Sequence, residues 1–253
     1  MRKLFLIIVL ILGVLQSKHA QFLFEYHLHY DSIAKLTLDK KGPYFYDSLK
    51  VRYEKADTSL TAFDMLALMI GETKQDHYYP YDLVKVEQDI MHLANKGEYA
   101  NALNKSDSLL KIHPLNLTAT IHKAFLEDKL GSLTAKRSKF KFVLYLDVLM
   151  STGEGTAESP MMVLGPGDGQ LLIRYVFGAG IGNMGSGEDN HGYFVDILEV
   201  LKEGEEPTLM YFNIEHAVKR MFKENMMKEF EKNFKKDQKE AKKKKKKDKK
   251  SSK

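Results

Sequence analysis

The sequence predicts an α+β fold, with helices in the N-terminal part and a small, mostly antiparallel sheet in the C-terminal part. Residues 82–130 carry apolar side chains at helical spacing, interrupted by turn residues. Residues 161–212 instead contain short apolar runs separated by frequent glycines, which is the pattern of short strands. The chain has no cysteine, so an apolar core and not disulfides must hold this fold together.

The N-terminal 20 residues have the features of a signal peptide. Arg2 and Lys3 precede a nearly unbroken apolar run over residues 4–15. A helix of that length spans about 18 Å, whereas the hydrocarbon core of a bilayer is roughly 30 Å thick. We therefore expect cleavage after Ala20 or Ser17, and an exported protein that is periplasmic, envelope-associated or secreted.

The C-terminal 26 residues form a basic tail, residues 228–253, with 14 lysines and five acidic residues. The whole chain carries +5, so removing +9 for this tail and +3 for the N-terminal 20 residues leaves −7 for residues 21–227. We predict one α+β domain at 21–227, helical over about 40–131 and sheet-forming over about 132–227, followed by a disordered tail. The unbroken lysine run consists of Lys242, Lys243, Lys244, Lys245, Lys246 and Lys247.

The first elements are predicted from turn and capping residues. Residues 22–30 alternate apolar and polar side chains, as in a short strand or a loosely held start. A helix is expected from Lys50, and another after the N-cap chemistry of residues 57–59, ending at Gly71. Pro80 disfavours helix at Tyr79, so residues 78–81 are expected to be extended.

Residues 82–131 predict three successive helices. Asp82 can cap the first, Gly97 turns the chain into the second, and Asn116 can cap the third. The turn and second helix resemble one tetratricopeptide (TPR) unit, in which Ala102 permits close helix packing and Pro114 ends the helix. Solenoids need about three repeats, so one TPR-like hairpin within a mixed domain is expected instead of an array.

The remaining elements follow from apolar runs and glycines. Residues 140–150 could be a buried helix or a buried strand. Strands are expected at residues 161–164, 171–177, 193–200 and 208–212. Asn213 can cap a final helix that leads into the tail.

Several motifs occur in an order that resembles a domain family of unknown function found in secreted Bacteroidetes proteins. They are Tyr44-x-Tyr46, Asp57-Thr58-Ser59, Tyr79-Pro80-Tyr81, Gly97-Glu98-Tyr99, Gly153-Glu154-Gly155-Thr156 and Leu209-Met210-Tyr211-Phe212-Asn213-Ile214. The resemblance covers roughly residues 40–222. It implies an exported bacterial protein and transfers no activity.

Two groups of residues are candidate sites. Glu188, Asp189 and His191 lie on a glycine-rich loop and could bind a metal or act as acid and base, although such loop residues are more often simply solvated. The other group could form an aromatic binding surface or could pack the helical hairpin. It consists of Tyr44, Tyr46, Tyr79 and Tyr81.

The chain carries none of three common catalytic signatures. The nine histidines include no His-Glu-x-x-His motif, the serines no Gly-x-Ser-x-Gly motif, and there is no thiol nucleophile. Residues 165–169 are Gly-Pro-Gly-Asp-Gly, which predicts a hairpin turn followed by a strand and not a phosphate-binding loop. No cofactor is therefore predicted.

These features favour a non-catalytic exported binding module. Its body would bind a protein or envelope-polymer partner, and its tail would associate with anionic envelope surfaces. One alternative is a hydrolase or metal-dependent enzyme that uses Glu188, Asp189 and His191. Another is nonspecific nucleic-acid binding through the lysine tail, since a specific nucleic acid is not expected.

Overall fold

A computed structural model describes residues 23–225 and has the predicted α+β fold. The chain divides into two compact units, residues 1–217 and residues 218–253. Helices occupy the N-terminal part of the first unit, and the sheet lies in its C-terminal part. A final helix starts at residue 215, and residues 218–225 of the second unit are helical. The basic tail and the signal-like segment lie outside the described residues.

Seven helices and a 3₁₀ turn precede the sheet in the described residues. They are α1 (Tyr26–Leu38), α2 (Tyr46–Glu54), α3 (Ala62–Glu72), a 3₁₀ turn (Pro80–Leu83), α4 (Val84–Asn95), α5 (Tyr99–Ile112), α6 (Leu117–Lys129) and α7 (Ala135–Met150). The segment read as a short strand or loose start is mostly the beginning of α1. The apolar alternation does not mark the buried face, because Leu28 is exposed, whereas Tyr30, Ile33, Ala34 and Thr37 are buried at helical spacing.

Two of the four predicted N-caps, those at residues 57–59 and at Asp82, differ from the prediction. Thr61, and not a residue of the 57–59 segment, caps α3 through a reciprocal capping box with Asp64. Asp82 lies within the 3₁₀ turn, so residues 80–83 are not extended and α4 starts without a side-chain cap. Asn116 caps α6 as predicted, because its Oδ1 accepts a hydrogen bond from the backbone N–H of Ala119 at 2.8 Å.

Two apolar runs form helices. Residues 140–150 belong to α7. Residues 171–177 were predicted as a strand, but they belong to α8 (Asp168–Leu171) and the π-helical turn that continues it (Leu172–Val176). This segment is apolar on most sides because it is buried, and such a run has no periodicity that separates helix from strand. The glycine-rich turn before it therefore leads into a helix and not into a hairpin.

The sheet is small and mostly antiparallel, as predicted. Its strands are β1 (Met161–Met162), β2 (Gly180–Glu188), β3 (Phe194–Leu201) and β4 (Thr208–Asn213), in the spatial order β1-β4-β3-β2. β4 pairs antiparallel with β3 and parallel with β1. β2 runs through glycines that were assigned to a loop, because their pairing with β3 supplies order that the sequence does not indicate.

The core of the first unit lies around α3, whose residues from Asp64 to its end at Glu72 are all buried. Val195, Leu198 and Val200 are the buried residues of β3. Over residues 23–225, no helix has both the length and the apolarity that crossing a membrane requires.

Candidate functional site

A cleft lies where the end of α3, the start of α4, the α5–α6 turn and the loop before α8 meet. It is small, with a cavity volume of about 30 Å³, which is room for a group about the size of a water molecule, and it is partly open to solvent. Its walls carry three buried carboxylates, which belong to Glu72, Glu87 and Asp168. None of the residues that line it is lysine or arginine, so we call it the acidic cleft. The other lining residues are Tyr78, Tyr79, Pro80, Leu83, His113, Leu115, Asn116, Leu117, Leu164 and Gly165.

Glu72 lies close to two histidines, His113 on the lining of the acidic cleft and His77 beside it. Glu72 is only 3% exposed, and its carboxylate accepts a hydrogen bond from the hydroxyl of Tyr46 on α2. His77 Nε2 lies 3.0 Å from Glu72 Oε1. One ligand atom each of Glu72, His77 and His113 lie within 4.8 Å of one another.

Local backbone structure positions these three side chains. Glu72 is the last residue of α3, and a tight turn follows, in which the N–H of Gln75 donates to the carbonyl of Glu72 at 3.1 Å. This turn returns the chain, so that His77 faces Glu72. His113 is the C-cap of α5 and donates its N–H to Leu109 O at 2.8 Å.

The other end of the acidic cleft holds Glu87 and Asp168. The side-chain amide of Asn116 donates to Glu87 Oε1, so the residue that caps α6 also fixes a carboxylate of α4. Asp168 Oδ2 accepts from the N–H groups of Leu164 and Gly165 at 3.0 and 2.8 Å. This contact folds the loop back onto the start of α8.

Burial sets the protonation of the acidic cleft. Loss of solvent raises the pKa of Asp168 to about 8, and the nearby charge of Glu87 adds to the effect. Burial likewise raises the pKa of Glu87, although the Asn116 hydrogen bond opposes it. Burial and the neighbouring His77 lower the pKa of His113, which favours its neutral imidazole.

Two residues of the predicted ligand loop make structural contacts. Asp189 binds backbone N–H groups, and His191 stacks on another ring. Glu188 ends β2, and Asp189 Oδ1 accepts from the N–H groups of His191 and Tyr193 at 2.8 and 2.9 Å, which holds the hairpin turn. The His191 ring stacks on His27 with 3.8 Å between centroids. Within residues 23–225, Glu188, Asp189 and His191 do not form a three-ligand group of the kind found at Glu72.

The four candidate tyrosines have different surroundings. Tyr46 is buried and donates to Glu72, and Tyr79 lines the acidic cleft. Tyr44 packs edge-on against Phe63, with 4.9 Å between ring centroids. Tyr81 is half-buried in the 3₁₀ turn. The lysine run at residues 242–247 lies outside the described residues.

Apart from Tyr79, sequence reasoning did not single out the residues of the acidic cleft as site residues. Glu72 and His77 are separated by four residues, which is not a helical ligand spacing, and His113 was interpreted only as part of a helix stop. Glu87 and Asp168 are acidic residues among many. The one available signal was a histidine just before Pro114, at a helix end that often faces a neighbouring element.

No curated protein and no solved structure matches the chain significantly. A family described as a domain of unknown function, DUF4919, matches residues 31–223. This range confirms the predicted resemblance to a family of unknown function and includes every residue that lines the acidic cleft. The chain therefore belongs to the DUF4919 family of domains of unknown function.

Proposed function

We propose that this protein is a non-catalytic binding module whose acidic cleft binds a small cation or the cationic group of a larger partner. The observation that supports this proposal is the lining itself: three buried carboxylates with no lysine or arginine among the lining residues. Glu72 lies beside His77, and Asp168 is largely protonated at neutral pH, so the cost of burying a charge falls mainly on Glu87, and a bound cation offsets part of that cost.

Each wall of the acidic cleft has a part in binding. Glu72 and Glu87 offer carboxylate oxygens, and the Asn116 and Tyr46 hydrogen bonds hold these oxygens in place. Tyr78 and Tyr79 add aromatic surface, to which cations are attracted. Asp168 is largely protonated at neutral pH, so a cation that approaches it displaces a proton.

Calorimetric titration of the full chain with spermidine tests this proposal. We expect spermidine to bind and succinate, a dianion, not to bind. Glu87→Gln keeps an acceptor for Asn116 but removes the charge, and it should weaken spermidine binding about tenfold, since a hydrogen bond to a charged group contributes about 1.5–3 kcal/mol. Glu203→Gln removes an exposed carboxylate that is not among the lining residues, and this variant should bind like the unaltered chain. Equal affinity of all three proteins, or no binding, contradicts the proposal.

We further propose that the protein is exported and that its tail associates with anionic envelope surfaces. The signal-like N-terminus and the excess of nine positive charges over residues 228–253 support this. Screening at about 0.5 M salt shortens the Debye length to a few ångströms, so salt should release the protein from cell envelopes. A chain ending at Met227 should not associate. Identical fractionation of both chains argues against a role of the tail.

A further inference from the structure

We propose that Glu72, His77 and His113 form a binding site for a divalent transition-metal ion, with Zn²⁺ as the best fit, and that the fourth coordination position opens into the acidic cleft. This inference rests on the proposed function, because it names the cation for one end of that cleft. The following observations support it.

The spacing of the three ligand atoms suits a metal ion. One atom from each side chain lies within 4.8 Å of the other two, and His77 Nε2 and Glu72 Oε1 are 3.0 Å apart. Zinc binds nitrogen and oxygen at about 2.0–2.1 Å in tetrahedral geometry, which places neighbouring ligand atoms roughly 3.3–3.4 Å apart. The distances in the protein bracket this value, so side-chain rotations are sufficient to close the site.

The donor set selects the kind of metal. Two imidazoles and one carboxylate match the three-ligand sets of zinc sites that keep an open fourth position. Calcium and magnesium prefer six or more oxygen ligands, and this end of the acidic cleft supplies nitrogen instead. Copper and nickel bind imidazole as well, but they prefer square-planar or octahedral arrangements.

The contact between His77 and Glu72 already contains a position that a cation can take. A neutral imidazole nitrogen without hydrogen and a carboxylate oxygen are both acceptors, and at 3.0 Å two acceptors need a proton between them. A metal ion that binds both atoms replaces this proton. The site therefore needs no rearrangement of the backbone to accept its ligand.

Neighbouring groups hold the carboxylate. The Tyr46 hydroxyl donates to Glu72 Oε2, which leaves Oε1 directed to His77. Metal sites typically have a hydrogen bond of this kind, made to the carboxylate oxygen that does not bind the metal, and it orients the ligand. The site is also reachable, because the His77 side chain is 29% exposed while that of Glu72 is 4% exposed.

Titration of the metal-free full chain with ZnCl₂ tests the inference, followed by CoCl₂ as a spectroscopic probe. We expect one zinc per chain and the visible absorption bands of four-coordinate Co²⁺. His77→Ala and His113→Ala should each weaken zinc binding at least tenfold and remove those bands. His92→Ala changes an exposed histidine of α4 and is the matched control.

Glu72→Gln supplies a second arm, because it keeps an acceptor for Tyr46 while removing the ligand charge; it should also weaken zinc binding. His113→Ala changes a partly exposed side chain, so the test does not depend on a variant that alters the core. Zinc affinity equal in the unaltered chain and in all site variants would mean adventitious surface binding and would overturn the inference. Absence of zinc binding would overturn it as well.

The outcome is separable from that of the proposed function. Spermidine binding that depends on Glu87, together with no specific zinc binding, would support cation binding by the acidic cleft and reject the metal site. Zinc binding that depends on His77 and His113, without spermidine binding, would support the metal site and contradict the proposed binding of cations by Glu87.

Discussion

The hydroxyl of Tyr46 donates a hydrogen bond to the carboxylate of Glu72, across 26 residues of chain and from α2 to the end of α3. Both residues are buried. The hydroxyl of Tyr46 therefore does not face solvent, as that of a surface tyrosine would, but positions a carboxylate. It fixes one oxygen of Glu72 and leaves the other for His77.

Tyr46→Phe should therefore weaken zinc binding with little loss of structure. The ring remains to fill its space, while the lost hydrogen bond frees the carboxylate to rotate. Removal of such an orienting partner lowers metal affinity about 10–100-fold. Zinc titration measures the loss, and Tyr44→Phe, which changes a half-buried tyrosine packed on Phe63, is the control. Equal zinc affinity of the two variants would show that Tyr46 has no orienting effect.

Asp168 should make the protein less stable as pH rises. Its pKa of about 8 in the folded state lies above the usual value of about 3.9 in an unfolded chain. The folded state thus holds the proton more tightly, and this stabilisation is fully present below about pH 4 and is lost as pH rises through about 8. Glu87, whose pKa is also raised, acts in the same direction.

Asp168→Asn removes the ionising group but keeps an oxygen that can accept from Leu164 and Gly165. The free energy of unfolding of this variant should vary less with pH, by up to about 1.4 kcal/mol per pH unit within the window. Denaturant unfolding between pH 5 and 9 measures this slope. Asp82→Asn, at an exposed aspartate, should leave it unchanged. A slope that is the same for Asp168→Asn and for the unaltered chain contradicts the role of Asp168.

Asn116 should be sensitive to a change that preserves its capping oxygen. Asn116→Asp can still accept from the N–H of Ala119, but it replaces the amide that donates to Glu87 with a second carboxylate. Loss of that donor beside a buried acid should destabilise the protein by about 1–3 kcal/mol at neutral pH. Chemical denaturation midpoints give the size of the effect. Asn116→Ala loses both contacts and should be at least as damaging. Full stability of Asn116→Asp would mean that only the cap matters.

Gly169 should not tolerate a side chain. An added Cβ would lie 2.7 Å from Cδ2 of Phe212 on β4, closer than atoms can approach without a shift. Gly169→Ala should cost about 1–3 kcal/mol, the usual size of an overpacking effect. Gly185→Ala adds a Cβ to β2 with nothing within 4 Å and should change stability far less. Thermal unfolding compares the two, and equal melting temperatures would contradict this packing argument.

The fold was predictable where local chemistry determines it. The side chain of Asn116 caps a helix by accepting a hydrogen bond from a backbone N–H three residues later, which is a local contact. The apolar runs of β3 and β4 contain β-branched residues and are bounded by turn residues. Residues 171–177 were predicted wrongly, because burial on most sides removes the periodicity on which the distinction depends. The glycines of β2 were misread because their order comes from pairing with β3.

The candidate site was not predictable, for a different reason. Glu72 and His113 are 41 positions apart in the numbering, and no spacing rule connects them. They meet because a tight turn after α3 and the α5–α6 turn come together, which is a tertiary event. The histidines of such a site carry no local pattern, unlike two ligands placed on one helix face.

The acidic cleft also has a thermodynamic consequence. Its walls come from segments between Glu72 and Asp168 that are in place together only when the first unit is folded. A ligand that needs all of them binds the native state and not the unfolded chain, so occupancy and folding are linked equilibria. At 100 times its dissociation constant, such a ligand adds about 2.7 kcal/mol to the free energy of unfolding. The melting temperature of this protein is thus itself a reporter of what the cleft accepts.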